Sequence, residues 1–100
     1  MTLAELKHST ANPEPPALAA ALVALWWEAK GDWGRAHTLI MDEKGADCAW
    51  VHAYLHRREG DLANARYWYG EAGRPLPSES LAAEWNSIAA ALLDNPMGLK

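Results

Sequence analysis

The dipeptide Gly31-Asp32 recurs 29 residues later as Gly60-Asp61. Glycine adopts the left-handed conformation that ends a helix, and aspartate is a strong N-cap, so each pair predicts a helix stop followed at once by a helix start. A connection that short makes the two flanking helices antiparallel neighbours. The same shift of 29 residues places Trp33 on Leu62, Ala36 on Ala65, Ile40 on Tyr69 and Ala24 on Ala53. A duplicated helical hairpin is therefore predicted, with small alanines letting the paired helices approach closely.

The remaining punctuation fits the same plan. Thr2-Leu3-Ala4-Glu5 has capping-box spacing and predicts a short helix to about Lys7, before Asn12-Pro13-Glu14-Pro15-Pro16 breaks it. Residues 1–16 thus read as an N-terminal arm, residues 17–95 as a single helical domain and residues 96–100 as a tail. Pro16 suits the first turn of a helix running to Gly31, with Leu18, Leu22, Leu25 and Ala29 on one stripe. Asp32 caps a second helix that extends to Gly45, and Asp47 a third, from about Cys48 to Glu59. Asp61 caps a fourth, with Leu62, Ala65, Tyr69 and Ala72 inward, ended by Gly73. Ser78 or Ser80 starts a fifth, with Leu81, Trp85, Ile88 or Ala89, and Leu92 inward, closed by Asn95-Pro96. No strand signal remains, so the fold class is all-α with five main helices.

A chain of 100 residues, half of them apolar and 22% charged, has the composition of one globular domain with a radius of gyration of about 13 Å. Its net charge of −4, spread along the chain, gives no electrostatic reason to bind nucleic acid or an anionic membrane. The apolar stretch Ala17 to Trp27 is about half the ~20 residues of a spanning helix. A single cysteine, Cys48, forms no internal disulfide, and the N-terminus lacks the basic start and apolar run of a signal peptide. The cytoplasm is the expected compartment.

In the second hairpin Gly60, Asp61, Ala65, Tyr69, Ala72 and Pro77 occupy turn, small, aromatic, small and closing-proline positions, and ARYWYGEAG looks like the second helix of a repeat unit. This pattern resembles the tetratricopeptide repeats and their Sel1-like relatives, over about Ala17 to Leu93. The first hairpin has no closing proline, and the period is shorter than the roughly 34 residues usual for the family. The resemblance implies stacked antiparallel hairpins; an irregular helical bundle is the alternative.

Several chemistries lack their residues. Ser9, Ser78, Ser80 and Ser87 stand in no nucleophile turn, Cys48 has no basic neighbour to activate it, and the glycines are dispersed rather than clustered as a phosphate loop. The carboxylates at 42–43 and at 59 and 61 lie where helices end and begin, which capping explains. These absences weigh against an enzyme without excluding one, and no cofactor is expected. His52 and His56 have the i, i+4 spacing of many metal ligands, and His37 is a candidate third, but no Glu lies between the pair as in the zinc-protease motif. The expectation is that these histidines pack between helices with their nitrogens hydrogen-bonded.

At 100° per residue the third helix has Cys48, Val51, His52 and Leu55 on one face, Ala49, Ala53 and His56 on another, and Trp50, Tyr54 and Arg57 on a third. A helix apolar almost all round belongs at the centre of the fold. Trp26, Trp33, Trp68 and Trp85 lie on apolar stripes and read as core in a chain that has no Phe. Matching Gly60-Asp61 to the family's turn implies that Asp47, Trp50, Val51, Tyr54, Arg57 and Arg58 line the concave face, with Trp50, Tyr54, Arg57 and Arg58 as the candidate contact residues. Trp, Tyr and Arg dominate peptide-binding hot spots. Packed aromatics, with arginines paired to Glu28 or Glu84, are the alternative reading of the same four residues. The lysine and asparagine of a carboxylate clamp are not evident. The function expected is a protein–protein interaction module that binds a peptide or protein segment, as a monomer or weak homodimer. The runner-up is a small enzyme or metal-dependent accessory protein using His37, His52 and His56, and pure self-association is a third reading.

Overall fold

Six helices make up the regular structure of the computed structural model, which describes residues 1–98: α1 (Leu3–Ser9), α2 (Ala20–Ala29), α3 (Trp33–Ile40), α4 (Ala46–Glu59), α5 (Leu62–Ala72) and α6 (Leu81–Leu92). Among the described residues there is no strand. Five main helices were expected, and the sixth is α1, which is a packed element rather than a free extension. Both bonds of the Thr2–Glu5 capping box form, and Leu6 is fully buried. The Trp26 indole N–H donates to Ser9 Oγ at 3.0 Å, tying the end of α1 to α2.

Both Gly-Asp turns are built alike. Gly31 and Gly60 have φ of +86° and +91°. The amides of Asp32 and Asp61 each reach back five residues, to the carbonyls of Trp27 and His56, at 2.9 Å. The Asp32 and Asp61 carboxylates then accept from the amides of Arg35 and Asn64, at 3.0 and 3.2 Å. Gly73 repeats the stop, with φ +70° and the Arg74 amide on the Tyr69 carbonyl. These satisfy carbonyls that a helix end would otherwise leave without partners.

Other boundaries differ from expectation, each for a local reason. Helix α2 begins at Ala20, beyond Pro16, with an extended Ala19 as its N-cap whose amide donates to the Pro96 carbonyl at 2.8 Å. Helix α3 stops at Ile40, its last buried residue; Met41 to Lys44 bury nothing, and Asp42 and Glu43 oppose the negative end of a helix dipole. Helix α4 is capped by Gly45 at φ +105°, leaving Asp47 in its first turn. Asn95 is not left-handed, and Gly98 is the positive-φ residue of that segment. Leu62, expected inward, is 47% exposed.

Helix α4 is central and packs on α2, α3, α5 and α6, with every residue from Ala49 to His56 buried. Hairpin α2–α3 and hairpin α4–α5 lie side by side through the α2–α4 and α3–α4 contacts, and α6 crosses both α2 and α4. The Trp85 indole fixes that crossing by donating to the Leu25 carbonyl at 3.1 Å. The radius of gyration is 12.3 Å, near the value a single 100-residue domain implies. Among the described residues no helix is long and apolar enough to cross a membrane.

Candidate functional site

Two faces of α4 carry the polar chemistry. One looks toward α2 and α6 and holds Trp50, Tyr54, Arg57 and Arg58. The other looks toward α3 and α5 and holds His52 and His56.

On the first face, three of the four residues are engaged within the fold. Trp50 is 8% exposed and lies under the Arg74 guanidinium, 3.5 Å from its ring centroid, so the loop after α5 covers it. Tyr54 is 2% exposed, and its hydroxyl donates to Glu28 at 3.3 Å. Arg57 pairs with Glu84 at 2.8 Å and also donates to the Glu79 carbonyl. Glu84, 2% exposed, also accepts from the Tyr69 hydroxyl. Only Arg58 projects outward, its side chain 54% exposed and 3.5 Å from Glu28. Tyr54 and Arg58 nevertheless meet at a surface cleft of about 370 Å³ where α1, α2, α4 and α6 converge, shared with Lys7, Glu28, Trp85 and Asn86. Burial raises the Glu28 carboxyl above its ordinary pKa, against the opposing pull of Arg58 and the Tyr54 hydroxyl. The Tyr54 hydroxyl is pushed well above its usual range, mainly by burial and then by Glu28.

On the second face, α3 and α4 bring three imidazoles together. His37, His52 and His56 each offer a nitrogen within 4.8 Å of the others. The Nε2 atoms of His37 and His52 are 3.1 Å apart, one donating to the other. His56 Nδ1 is 2.7 Å from Glu59 Oε2, which orients that ring from its own helix. Indoles wall the cluster. Trp33 stacks on His37 at 4.9 Å and 8°, and Trp68 on His52 at 4.0 Å and 15°. The Trp33 N–H donates to the Leu55 carbonyl at 2.7 Å, which holds that wall against α4. His52 and His56 are buried, whereas His37 remains partly open. Burial, then the neighbouring His37 and His56, lowers the His52 pKa to about 4. His37 is lowered for the same reasons, burial first and His56 second.

The i, i+4 spacing indicated His52 and His56, while the arrival of His37 depends on how α3 crosses α4. The sequence places Trp33 and Trp68 in the core and Glu59 at a helix end, but none of them beside the histidines. The only local signal for Glu59 was its position three residues after His56. Cys48 stands apart beside α2, with its thiol pushed up to about 11 by burial and then by Glu43 and Asp47, so thiolate chemistry at neutral pH is disfavoured.

The fold and these two faces define an all-helical protein with a mixed-charge cleft on one side of its central helix and an imidazole cluster on the other. Comparison with protein-family models, with curated protein sequences and with solved structures returned no match.

Proposed function

We propose that the chain is a helical-hairpin interaction module, similar in plan to the tetratricopeptide and Sel1-like stacks, that binds a protein segment carrying acidic and aromatic side chains. Its contact surface is the cleft at which Tyr54 and Arg58 meet Lys7 and Trp85. The carrying observation is the position of Arg58. Its guanidinium is half exposed at the rim of a concave surface of ligand-binding size, and Glu28 at 3.5 Å engages it only loosely. A carboxylate on a partner segment can compete for that guanidinium with two parallel hydrogen bonds. Lys7 adds a second positive charge, and the largely buried Tyr54 and Trp85 back the cleft. Trp50 and Arg57 lie outside this cleft, one covered by Arg74 and the other paired with Glu84.

The test is an array of short peptides that vary in acidic and aromatic content, with binding measured by fluorescence anisotropy. Arg58→Ala, at an exposed position, should weaken binding of the selected peptide by about 1–2 kcal/mol with an unchanged far-UV spectrum. Equal affinity for wild type and Arg58→Ala, or selection of basic peptides, overturns the proposal. Light scattering on the same samples separates peptide capture from self-association.

A further inference from the structure

We propose that His37, His52 and His56 form a three-histidine site for a divalent transition ion of the zinc class, joining the first hairpin to the second and leaving one coordination position open to solvent.

A tetrahedral ion with metal–nitrogen bonds of about 2.0–2.1 Å places its ligand nitrogens about 3.3 Å apart. His37 and His52 Nε2 already stand 3.1 Å apart, and the three candidate nitrogens lie within 4.8 Å of one another. A modest adjustment of the rings completes a triangle.

The donor set selects the ion. Three imidazoles suit zinc, copper, nickel or cobalt, whereas calcium and magnesium prefer oxygen ligands. Three protein nitrogens with a remaining vacant position is the open pattern, unlike the closed four-ligand structural sites.

Tautomers and surroundings agree with this assignment. Glu59 faces His56 Nδ1 at 2.7 Å; an ionised carboxylate only accepts, so the tautomer that satisfies this contact has its proton on Nδ1 and its lone pair on Nε2. This carboxylate–histidine arrangement is the usual outer-shell support of a metal ligand. Without metal, one of the two facing Nε2 atoms of His37 and His52 carries a proton and the other accepts it. On binding, that proton moves to Nδ1 of the same ring, so both lone pairs are freed with no net proton lost. Neutral imidazole is the form that ligates, and both residues have lowered pKa values. Trp33 and Trp68 stack on His37 and His52 and restrict both rings, reducing the entropy lost on binding.

The site lies on the opposite face of α4 from the peptide cleft, so the two proposals fail or stand independently. The experiment is titration of the metal-stripped full chain with Zn²⁺ by calorimetry and native mass spectrometry. Co²⁺ serves as a spectroscopic probe whose intense visible bands report tetrahedral nitrogen ligation. One equivalent should bind at micromolar affinity or tighter and raise the melting temperature. His37→Ala, at the partly open position, should weaken binding at least tenfold while the far-UV spectrum is retained. Glu59→Gln should weaken it by about 10–100-fold, the range typical of outer-shell carboxylates. No stoichiometric uptake, or uptake unchanged in His37→Ala, overturns the proposal. Six-coordinate Co²⁺ bands overturn it as well.

Discussion

Glu28 and Glu84 are both carboxylates held between helices, and their partners set them apart. Glu84 is gripped by Arg57 at 2.8 Å and by the Tyr69 hydroxyl, whereas Glu28 has a hydroxyl at 3.3 Å and a guanidinium at 3.5 Å. At Glu28 desolvation outweighs both of these contacts and raises its pKa. A raised carboxyl pKa means that the native chain binds the proton more tightly than the unfolded chain. The resulting stability is complete below the ordinary value of 4.5 and is lost as pH rises through the folded pKa. Glu28→Gln, which cannot ionise, does not undergo that loss. Melting temperatures measured from about pH 4 to neutrality should therefore shift progressively in favour of the variant as pH rises. A constant difference across that range would show that Glu28 titrates as it does in the unfolded chain. Glu28 was legible in the sequence as a partner for an arginine of the central helix, but its burial was not, because it depends on α4 supplying Tyr54 from 26 residues away.

At the scale of elements, glycines with different backbone conformations have opposite effects. Gly60 ends α4 at φ +91°, and an added Cβ there would touch nothing within 4 Å, so the cost of a side chain is purely conformational. Gly70 lies inside α5 with helical backbone and equally open space. Gly60→Ala should destabilise by about 1–2 kcal/mol, the left-handed penalty for an L-residue. Gly70→Ala should stabilise by about 0.5–1 kcal/mol, because alanine loses less chain entropy in a helix. Urea unfolding of the two variants checks both signs, and two shifts of the same sign would contradict this account of the turns. The Gly-Asp turns were readable because stop and cap are encoded in adjacent residues. The starts of α2 and α4 were not, because their N-caps, Ala19 and Gly45, make no side-chain cap bond. Ala19 is held instead through its amide, which donates to the carbonyl of Pro96, far along the chain.

For the molecule as a whole, the docking of α1 extends the cooperative unit toward the N-terminus. Leu6 is fully buried, Ser9 accepts from Trp26, and α1 also touches α6, so the first and last helices close on one another. Leu6→Ala removes a fully buried side chain and should cost about 2–5 kcal/mol in a single unfolding transition. If α1 melts independently, the main transition will be unmoved and a separate low-temperature step will appear. Closure by α6 also explains why Trp50 and Tyr54, on a surface the repeat resemblance would leave open, are covered: α6 crosses both α2 and α4, and the loop leading to it brings Arg74 over Trp50.

The sequence by itself determined the helical class, the places where the chain turns and the central position of α4. These follow from signals a few residues long: a glycine free to take positive φ, a side chain that caps, and an apolar period. Only the tertiary structure decided which side chains meet. An all-round apolar helix such as α4 carries no mark of which face will meet which neighbour, since that depends on crossing angles and rotations set by the packing of all six helices together. His37 therefore reached His52 and His56, and Arg74 reached Trp50, through long-range packing that no local pattern encodes.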